Sequence, residues 1–231
     1  VASLVGSEMC IRDSLNIMAV KIEDHSIKFK PLIMNFYRTI YRLFDTIYTV
    51  TREDKKRLCK ILGSRNIPIV SSYGNPRFDS VYDSAKQLLS HNPPLLEREQ
   101  IIVVGSSHRQ DDYHLIPALI NLIVKFPQLR IIHSPHDPNV NEIKKIQNSY
   151  LESGYDSIVV NEIGNVQFSS HKIIIIGKVG FLANLYWSSI ITYIGGGFST
   201  GIHNIMEPAI ASNPVIFGPN YQKFNEAEQI L

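Results

Sequence analysis

The chain has 231 residues, enough for one large or two small domains, and its 44% hydrophobic and 19% charged residues are ordinary for a globular protein. The formal net charge of +2 gives no reason to expect a nucleic-acid partner. Two cysteines, Cys10 and Cys59, provide neither a disulfide framework nor a metal-ligand spacing, and no apolar run is long enough to cross a bilayer.

The first residues look foreign to the fold. Ser3–Ser14 resembles the translation of a sequencing adapter, so we expect residues 1–14 to be an artefact and exclude them from the fold predictions. The sequence does not begin with Met, and it stops at Leu231 inside an apparent helix. We therefore expect a fragment of a longer protein.

The first part of the chain predicts three helices and two strands. Proline is tolerated in the first turn of a helix, so Pro31 can begin one. Thr51 and Asp54 form a weak capping box, and Gly63 is typical of a helix end. The predicted elements are a helix from Pro31, a strand at Asp45–Val50, a helix at Arg52–Leu62, a strand at Ile67–Ser71 and a helix over 80–90.

A change of pattern follows His91–Pro94, where we place a linker, so the predicted domains are 15–92 and 93–231. From Gln100 strands and helices alternate, which predicts an α/β domain with a parallel sheet. The predicted strands are Ile101–Val104, Leu129–His133, Ser157–Val160, Lys172–Ile176, Ile190–Ile194 and one within Pro214–Pro219. The predicted helices run from Asp111 to about Phe126, from Asn139 or Asn141 to about Leu151, over Phe181–Trp187, from near His203 and from about Phe224.

The glycine-rich stretch after Ile194 carries the strongest functional signal. Gly195, Gly196 and Gly197 would let a ligand approach the backbone closely. A helix starting near His203 would offer free N–H groups to a phosphate. One turn further on, Glu207 could accept hydrogen bonds from sugar hydroxyls. Glycines that serve only a plain strand–helix crossover are the alternative, but the combination favours a nucleotide or sugar site at the carboxyl edge of the sheet.

Two further turns are predicted to lie on the same edge. Gly105, Ser106, Ser107 and His108 end one strand and could hold a phosphate or a carboxylate, although a turn with a helix cap fits their spacing equally well. This turn is not a G-x-G-x-x-G sequence, which makes dinucleotide binding unlikely. His136 ends the next strand and could contact an anion, but a lone histidine in a polar turn is more often solvated.

The sequence contains only a weak signal for a metal site and none of the common motifs of a catalytic nucleophile. His203 and Glu207 make a His-x-x-x-Glu spacing, which is a weak metal signal, so we predict no metal and no cofactor. A G-x-S-x-G elbow, a Walker loop, a Cys/His nucleophile pattern and an acid/base pair of carboxylates are all lacking from the sequence.

Two neighbouring motifs carry a family resemblance. They read Ile-Gly-Gly-Gly-Phe-Ser-Thr-Gly-Ile-His-Asn-Ile-Met-Glu-Pro from Ile194 and Asn-Pro-Val-Ile-Phe-Gly-Pro-Asn-Tyr-Gln-Lys-Phe-Asn-Glu-Ala from Asn213. Together they resemble the signature of the 3-deoxy-D-manno-octulosonic acid (Kdo) transferases, which are GT-B glycosyltransferases of lipopolysaccharide assembly. Three supporting stretches agree with the family in order and spacing, and the resemblance covers roughly residues 30–231; they are Gly74–Asp79, Val104–His108 and Gly177–Tyr186.

The resemblance implies an α/β fold of GT-B type with two Rossmann-like domains. Residues 15–92 would be the remnant of an incomplete acceptor-side domain, and 93–231 a donor domain, truncated at its end, with a parallel sheet flanked by helices. It also implies transfer of Kdo from CMP-Kdo to a lipid A precursor, lipid IVA, at the cytoplasmic face of the inner membrane of a Gram-negative bacterium. The membrane anchor and the glutamate that acts as general base would lie upstream, so we expect this polypeptide alone to be inactive and to contain no catalytic residue.

By motif match, Asn204 and Glu207 would hold the nucleotide, with Glu207 at its ribose, and the turns at Gly105–His108 and Pro135–Asp137 would face phosphate or the Kdo carboxylate. Family members often have Pro-Arg-His in the latter turn, where this chain has Pro-His-Asp. The predicted donor site comprises Gly105, Ser106, Ser107, His108, His136, Gly180, Gly196, Gly197, His203, Asn204 and Glu207.

Two other functions stay open from the sequence. A GT-B enzyme that uses a UDP-sugar, such as a UDP-GlcNAc 2-epimerase, also places a glutamate at the ribose, so nucleotide preference would separate it from a Kdo transferase. A non-catalytic nucleotide-binding module is the third hypothesis. The three rank in the order given.

Overall fold

A computed structural model describes residues 14–65, 67–91, 98, 100–162, 171–222 and 224–230. The chain divides into two compact units between Asp79 and Ser80. Residues 1–13, within the predicted artefact, and residues 92–97, which include most of the predicted linker, lie outside the described part. Among the described residues, no helix is both long and apolar enough to cross a membrane.

The first unit contains a three-stranded parallel sheet in the order β1-β2-β3. Its strands are β1 (Asn16–Val20), β2 (Thr46–Thr49) and β3 (Ile69–Ser72), and its helices are α1 (Pro31–Tyr41) and α2 (Arg52–Leu62). Strand β1 was not predicted, because its sequence shows no apolar alternation. In the structure only its last residue, Val20, is buried. The apolar core of this unit includes Ile22, Ile47, Leu58 and Ile61.

Helix α2 begins and ends at the predicted residues. The Thr51 hydroxyl accepts a hydrogen bond from the Asp54 N–H at 2.9 Å, and the Asp54 carboxylate accepts one from the Thr51 N–H at 3.0 Å. Asp54 also accepts a bond from the Ile22 N–H at 2.8 Å. Gly63 ends the helix with φ of +71°. The predicted capping box is thus confirmed, and it connects the helix to the segment after β1.

Replacing Thr51 by Ala should lower the free energy of unfolding of the first unit by about 1 kcal/mol, because the Asp54 N–H loses its acceptor. Urea denaturation followed by circular dichroism measures this loss. Thr39→Ala, at an exposed position of α1, is the control and should change that free energy by no more than about 0.5 kcal/mol. Equal losses in the two variants would contradict a specific role of the cap.

The second unit contains a six-stranded parallel sheet in the order β6-β7-β5-β4-β8-β9. Its strands are β4 (Ile101–Ser107), β5 (Arg130–Pro135), β6 (Ser157–Val160), β7 (Ile173–Ile176), β8 (Ile191–Ile194) and β9 (Val215–Phe217). Helix α3 (Pro76–His91) spans the division between the units, and the remaining helices are α4 (Arg109–Lys125), α5 (Val140–Glu152), α6 (Leu182–Leu185), α7 (Met206–Ile210) and α8 (Asn225–Ile230).

The central strands of the second sheet are buried on both faces. All four isoleucines of β7 are buried, as expected for a parallel strand covered by helices on both sides. Ile116 of α4 and Ile146 of α5 belong to the core on one face, and Leu185 of α6 and Ala227 of α8 to the core on the other. The predicted α/β fold with a parallel sheet flanked by helices is confirmed.

The predicted start of the helix near His203 is wrong. Helix α7 begins only at Met206 and has five residues. The N–H of His203 donates to the carbonyl of Gly195 at 3.1 Å, so this segment folds back onto the end of β8. The His203 N–H, one of the groups expected to face a phosphate, is therefore used within the fold.

Candidate functional site

Three turns meet at the carboxyl edge of the second sheet. Strand β4 lies between β5 and β8, so the residues that follow these three parallel strands become neighbours. His108 follows β4, His136 follows β5, and His203 follows the glycine-rich loop after β8. The structure thus brings together three histidines that the sequence analysis selected separately.

The three imidazoles form a compact group, which we call the histidine cluster. The Nε2 atoms of His108 and His203 are 2.8 Å apart. The His136 ring lies 4.6 Å from the His108 ring and 4.3 Å from the His203 ring, between centroids. His108 and His203 are partly buried, whereas His136 is exposed. At 2.8 Å one Nε2 must donate a hydrogen to the other, so the pair contains one donor and one acceptor.

The environment keeps the pair neutral. Burial lowers the pKa of His108, and repulsion from His136 lowers it further. Burial, followed by repulsion from His136 and His108, lowers the pKa of His203 to about 4. At pH 7 both imidazoles are therefore uncharged, and the bond between their Nε2 atoms uses one N–H of the pair and one lone pair.

Asp111, in the first turn of α4, connects two of these turns. It is fully buried. Its Oδ2 accepts hydrogen bonds from the backbone N–H groups of His108 at 2.9 Å and Gly196 at 2.8 Å. Its Oδ1 accepts a bond from the Tyr193 hydroxyl at 2.9 Å and one from the Phe198 N–H at 3.3 Å. One carboxylate thus holds the turn after β4 against the loop after β8, and so positions His108 relative to His203.

From its place in the sequence, Asp111 was expected only to lie at the start of a helix. A carboxylate in the first turn of a helix normally needs no explanation beyond the helix dipole and the free N–H groups there. Its long-range partners, Tyr193, Gly196 and Phe198, are visible only after folding. Its place directly after the Gly105–His108 turn was the one available signal.

A second buried network lies beneath the turn after β4. His133 is buried, and its Nε2 is 2.8 Å from the Ser107 hydroxyl and 3.0 Å from the Asp112 carboxylate. Its Nδ1 is 2.9 Å from the hydroxyl of Tyr150, whose pKa is raised by burial. The Ser107 hydroxyl, predicted to face a ligand, is thus buried and bonded to His133.

Close packing accounts for several of the predicted glycines. A Cβ on Gly105 would overlap the Tyr186 hydroxyl, and one on Gly197 would overlap the backbone of Gly218. Gly196 is buried, has φ of +91°, and donates its N–H to Asp111. These glycines are needed for close packing and backbone conformation within the fold. This agrees with the alternative stated from the sequence, in which the glycines serve only a strand–helix crossover.

Asn204 and Glu207 form a pair at the start of α7. The Asn204 amide donates to Glu207 Oε1 at 2.9 Å, and its side-chain oxygen accepts a bond from the Met206 N–H at 3.1 Å. Burial raises the pKa of Glu207, although the bond from Asn204 opposes this effect. Glu207 also lines a cavity of about 70 Å³ together with Trp187 and residues of α3.

The remaining predicted residues occupy different places. Ser106 has a left-handed backbone with φ of +53° at the end of β4. Gly180, with φ of +100°, lies in the turn after β7, on the far side of β5 from β4. The turns after β4, β5 and β8 therefore contain the polar side chains of the candidate site, and Gly180 belongs to another turn of the same edge.

No protein-family model matches the chain. The 3-deoxy-D-manno-octulosonic acid transferase of Rickettsia felis is 26% identical over 219 residues, which cover 94% of this chain and 45% of that protein. The enzyme of the same name from Aquifex aeolicus is 26% identical over 196 residues, covering 84% of this chain and 49% of that protein. The chain thus spans about half the length of the curated relatives it matches.

A solved structure shares the fold. It is the C-terminal CMP-Kdo binding domain of WaaA from Acinetobacter baumannii, with a TM-score of 0.50 and 22% sequence identity over 65% of this chain and 77% of that one. The resemblance deduced from the motifs is confirmed by the similarity to relatives along nearly the whole chain. The chain is thus similar, along nearly its whole length, to bacterial 3-deoxy-D-manno-octulosonic acid transferases.

Proposed function

We propose that this chain is the donor-binding part of a Kdo transferase, and that the whole protein transfers Kdo from CMP-Kdo to a lipid A precursor in lipopolysaccharide synthesis. The observation that carries this proposal is the similarity to enzymes of that name over 94% of the chain. It is supported by the site: the turns predicted to bind the donor converge on one edge of the sheet, where ligands of open α/β sheets bind.

Glu207 and Asn204 are assigned to the nucleotide. The Asn204 amide holds Glu207 Oε1, which fixes the orientation of the carboxylate, and we assign Oε2 to a ribose hydroxyl. A buried carboxylate that accepts hydrogen bonds from hydroxyls binds a sugar better than a solvated one, because water competes less for its oxygens. The raised pKa of Glu207 is a sign of this partly desolvated position.

The histidine cluster is assigned to the phosphate and carboxylate groups of the donor. His108 and His203 are neutral at pH 7, so they would contribute N–H donors rather than charge. Negative charge develops on the phosphate as CMP leaves the sugar, and oriented N–H donors stabilise such charge. Because Asp111 sets the spacing of the two turns, it would act as a positioning residue for these donors.

The location follows from the proposed acceptor. A lipid A precursor is held in a membrane, so the reaction would take place at a membrane surface, which we propose to be the cytoplasmic face of the bacterial inner membrane. The relatives' shared name supports the pathway.

Nucleotide binding to this chain tests the proposal. CMP at about 100 times its Kd should add about 2.7 kcal/mol of stability and raise Tm by several degrees, whereas UDP should not. Glu207→Gln should abolish the shift. Because the pKa of Glu207 is raised in the fold, its ionised form is disfavoured there, so Gln should leave Tm at pH 7 unchanged or higher.

Glu152→Gln, at an exposed position of α5, is the matched control and should retain the CMP shift. A shift with UDP alone would favour the UDP-sugar alternative. No shift with either nucleotide, in a chain that melts cooperatively, would contradict donor binding by this chain.

A further inference from the structure

We propose that His108, His136 and His203 form a binding site for one divalent transition-metal ion, of which Zn²⁺ is the best match. One ring nitrogen of each imidazole would be a ligand, and a fourth position would remain open to water or to an anionic ligand. The proposal goes beyond the proposed function and does not depend on it, since the ion would bind without any nucleotide.

The ligand atoms of the histidine cluster lie close enough together for such a site, and the stacked rings of His136 and His203, whose planes are 18° apart, would turn to direct their lone pairs to one ion. The three ligand atoms lie within 4.8 Å of one another, and the Nε2 atoms of His108 and His203 are 2.8 Å apart. Zinc with bonds of about 2.0–2.1 Å to nitrogen holds tetrahedral ligands roughly 3.4 Å from each other. The His108–His203 pair is closer than this value, so the hydrogen bond between its two Nε2 atoms would open to admit the ion. His136 is exposed, so rotation of its side chain can bring its nitrogen into place.

A neutral imidazole can serve a cation through its lone pair as well as an anion through its N–H group. A metal binds the imidazole through the lone pair of a ring nitrogen that carries no proton. The carboxylates of Asp111 and Asp112 act on His108 through their charge, and Asp111 acts on His203. The cluster therefore combines three imidazoles with nearby carboxylates, and the ion would replace the hydrogen bond that now joins His108 to His203.

The kind of ligand selects the kind of metal. Three imidazoles suit Zn²⁺, Cu²⁺ and Ni²⁺, whereas Mg²⁺ and Ca²⁺ prefer oxygen ligands. A set of three protein ligands with an open position is the arrangement of zinc ions that bind a further group. A bound ion would also attract the phosphate or carboxylate of an anionic ligand.

The sequence alone did not indicate this site. The prediction of no metal rested on the weak His-x-x-x-Glu spacing around His203. The fold adds two further imidazoles to His203, and they come from turns that are distant in sequence and adjacent in the sheet.

Calorimetric titration of the 231-residue chain with ZnCl₂, without nucleotide, tests the proposal. We expect one Zn²⁺ per chain, and Co²⁺ in its place should give the visible absorption bands of a tetrahedral nitrogen site. His136→Gln and His203→Gln should each weaken Zn²⁺ binding by about tenfold or more, since loss even of a residue supporting a ligand costs about 10–100-fold. His136 is exposed, so its replacement should leave Tm without metal unchanged.

His91→Gln, at an exposed position of α3, is the matched control and should bind Zn²⁺ like the unaltered chain. The proposal is overturned if the chain binds no Zn²⁺, or if both cluster variants bind it as well as the control does. The CMP measurement is made with a chelator present, so that failure of donor binding and failure of metal binding are seen separately.

Discussion

Replacing Asp111 by Ala should lower the free energy of unfolding of the second unit by about 3 kcal/mol or more, because a buried donor left without its acceptor costs about 1–3 kcal/mol. The variant removes the acceptor of three backbone N–H groups, from His108, Gly196 and Phe198, and of the Tyr193 hydroxyl. Urea denaturation measures the loss. The CMP-induced rise in Tm should disappear as well, since the turn after β4 is no longer held against the loop after β8.

Asp111→Asn separates the shape of this side chain from its hydrogen-bonding capacity. The asparagine amide keeps one acceptor oxygen but turns an NH₂ group toward two of the N–H donors. We therefore expect the free energy of unfolding to fall by less than in Asp111→Ala and by more than in the control. Asp83→Asn, at an exposed position of α3, is the control and should change the free energy of unfolding by no more than about 0.5 kcal/mol. An Asp111→Ala loss no larger than the control's would refute the linking role of this carboxylate.

Gly195→Ala should be the second severe substitution. A Cβ at Gly195 would overlap the Ser106 carbonyl oxygen and approach the Ser107 Cα to 2.5 Å, and both are backbone atoms of β4 that cannot rotate away. The strands would have to separate at the edge where the candidate site lies. Overpacking of this kind costs about 1–3 kcal/mol and occasionally more, and we expect the upper part of that range, measured as free energy of unfolding.

Gly154→Ala provides the comparison for this substitution. Gly154 has φ of +83°, and nothing lies within 4 Å of a Cβ there. Alanine at this position should cost only the left-handed backbone strain, about 1–2 kcal/mol. If Gly195→Ala proves milder than Gly154→Ala, close packing does not explain the glycine after β8.

Local signals in the sequence predicted most of the fold. Helix α2 was predicted to the residue, because Thr51, Asp54 and Gly63 form a cap and a stop that act within a few positions. Strand β6 was also predicted to the residue, and β7 began one residue later than expected. Strand β1 was missed because its apolar side chains are mostly exposed. The family resemblance, based on the motifs around Gly195–Pro208, was confirmed by the relatives.

The candidate site was predictable as a set of residues but not as an arrangement. His108 and His136 were selected because each follows a strand, and His203 because it lies in the glycine-rich motif; the order of the strands brings the three together. The helix expected near His203 fails because a backbone bond to Gly195 competes with helix formation, which is a contact between loops that periodicity cannot show. Asp111 was missed for the same reason, since its partners come from across the sheet.

The order of strands in the second sheet has a consequence for how such a site can change. The chain leaves β4 toward β5 on one side and later returns to β8 on the other, which makes β4 a topological switch point, where the loops on either side diverge and open a crevice. The position of this crevice depends on the connectivity and not on the side chains that line it. Substitutions at position 136 can therefore alter the chemical preference of the crevice while its location stays the same.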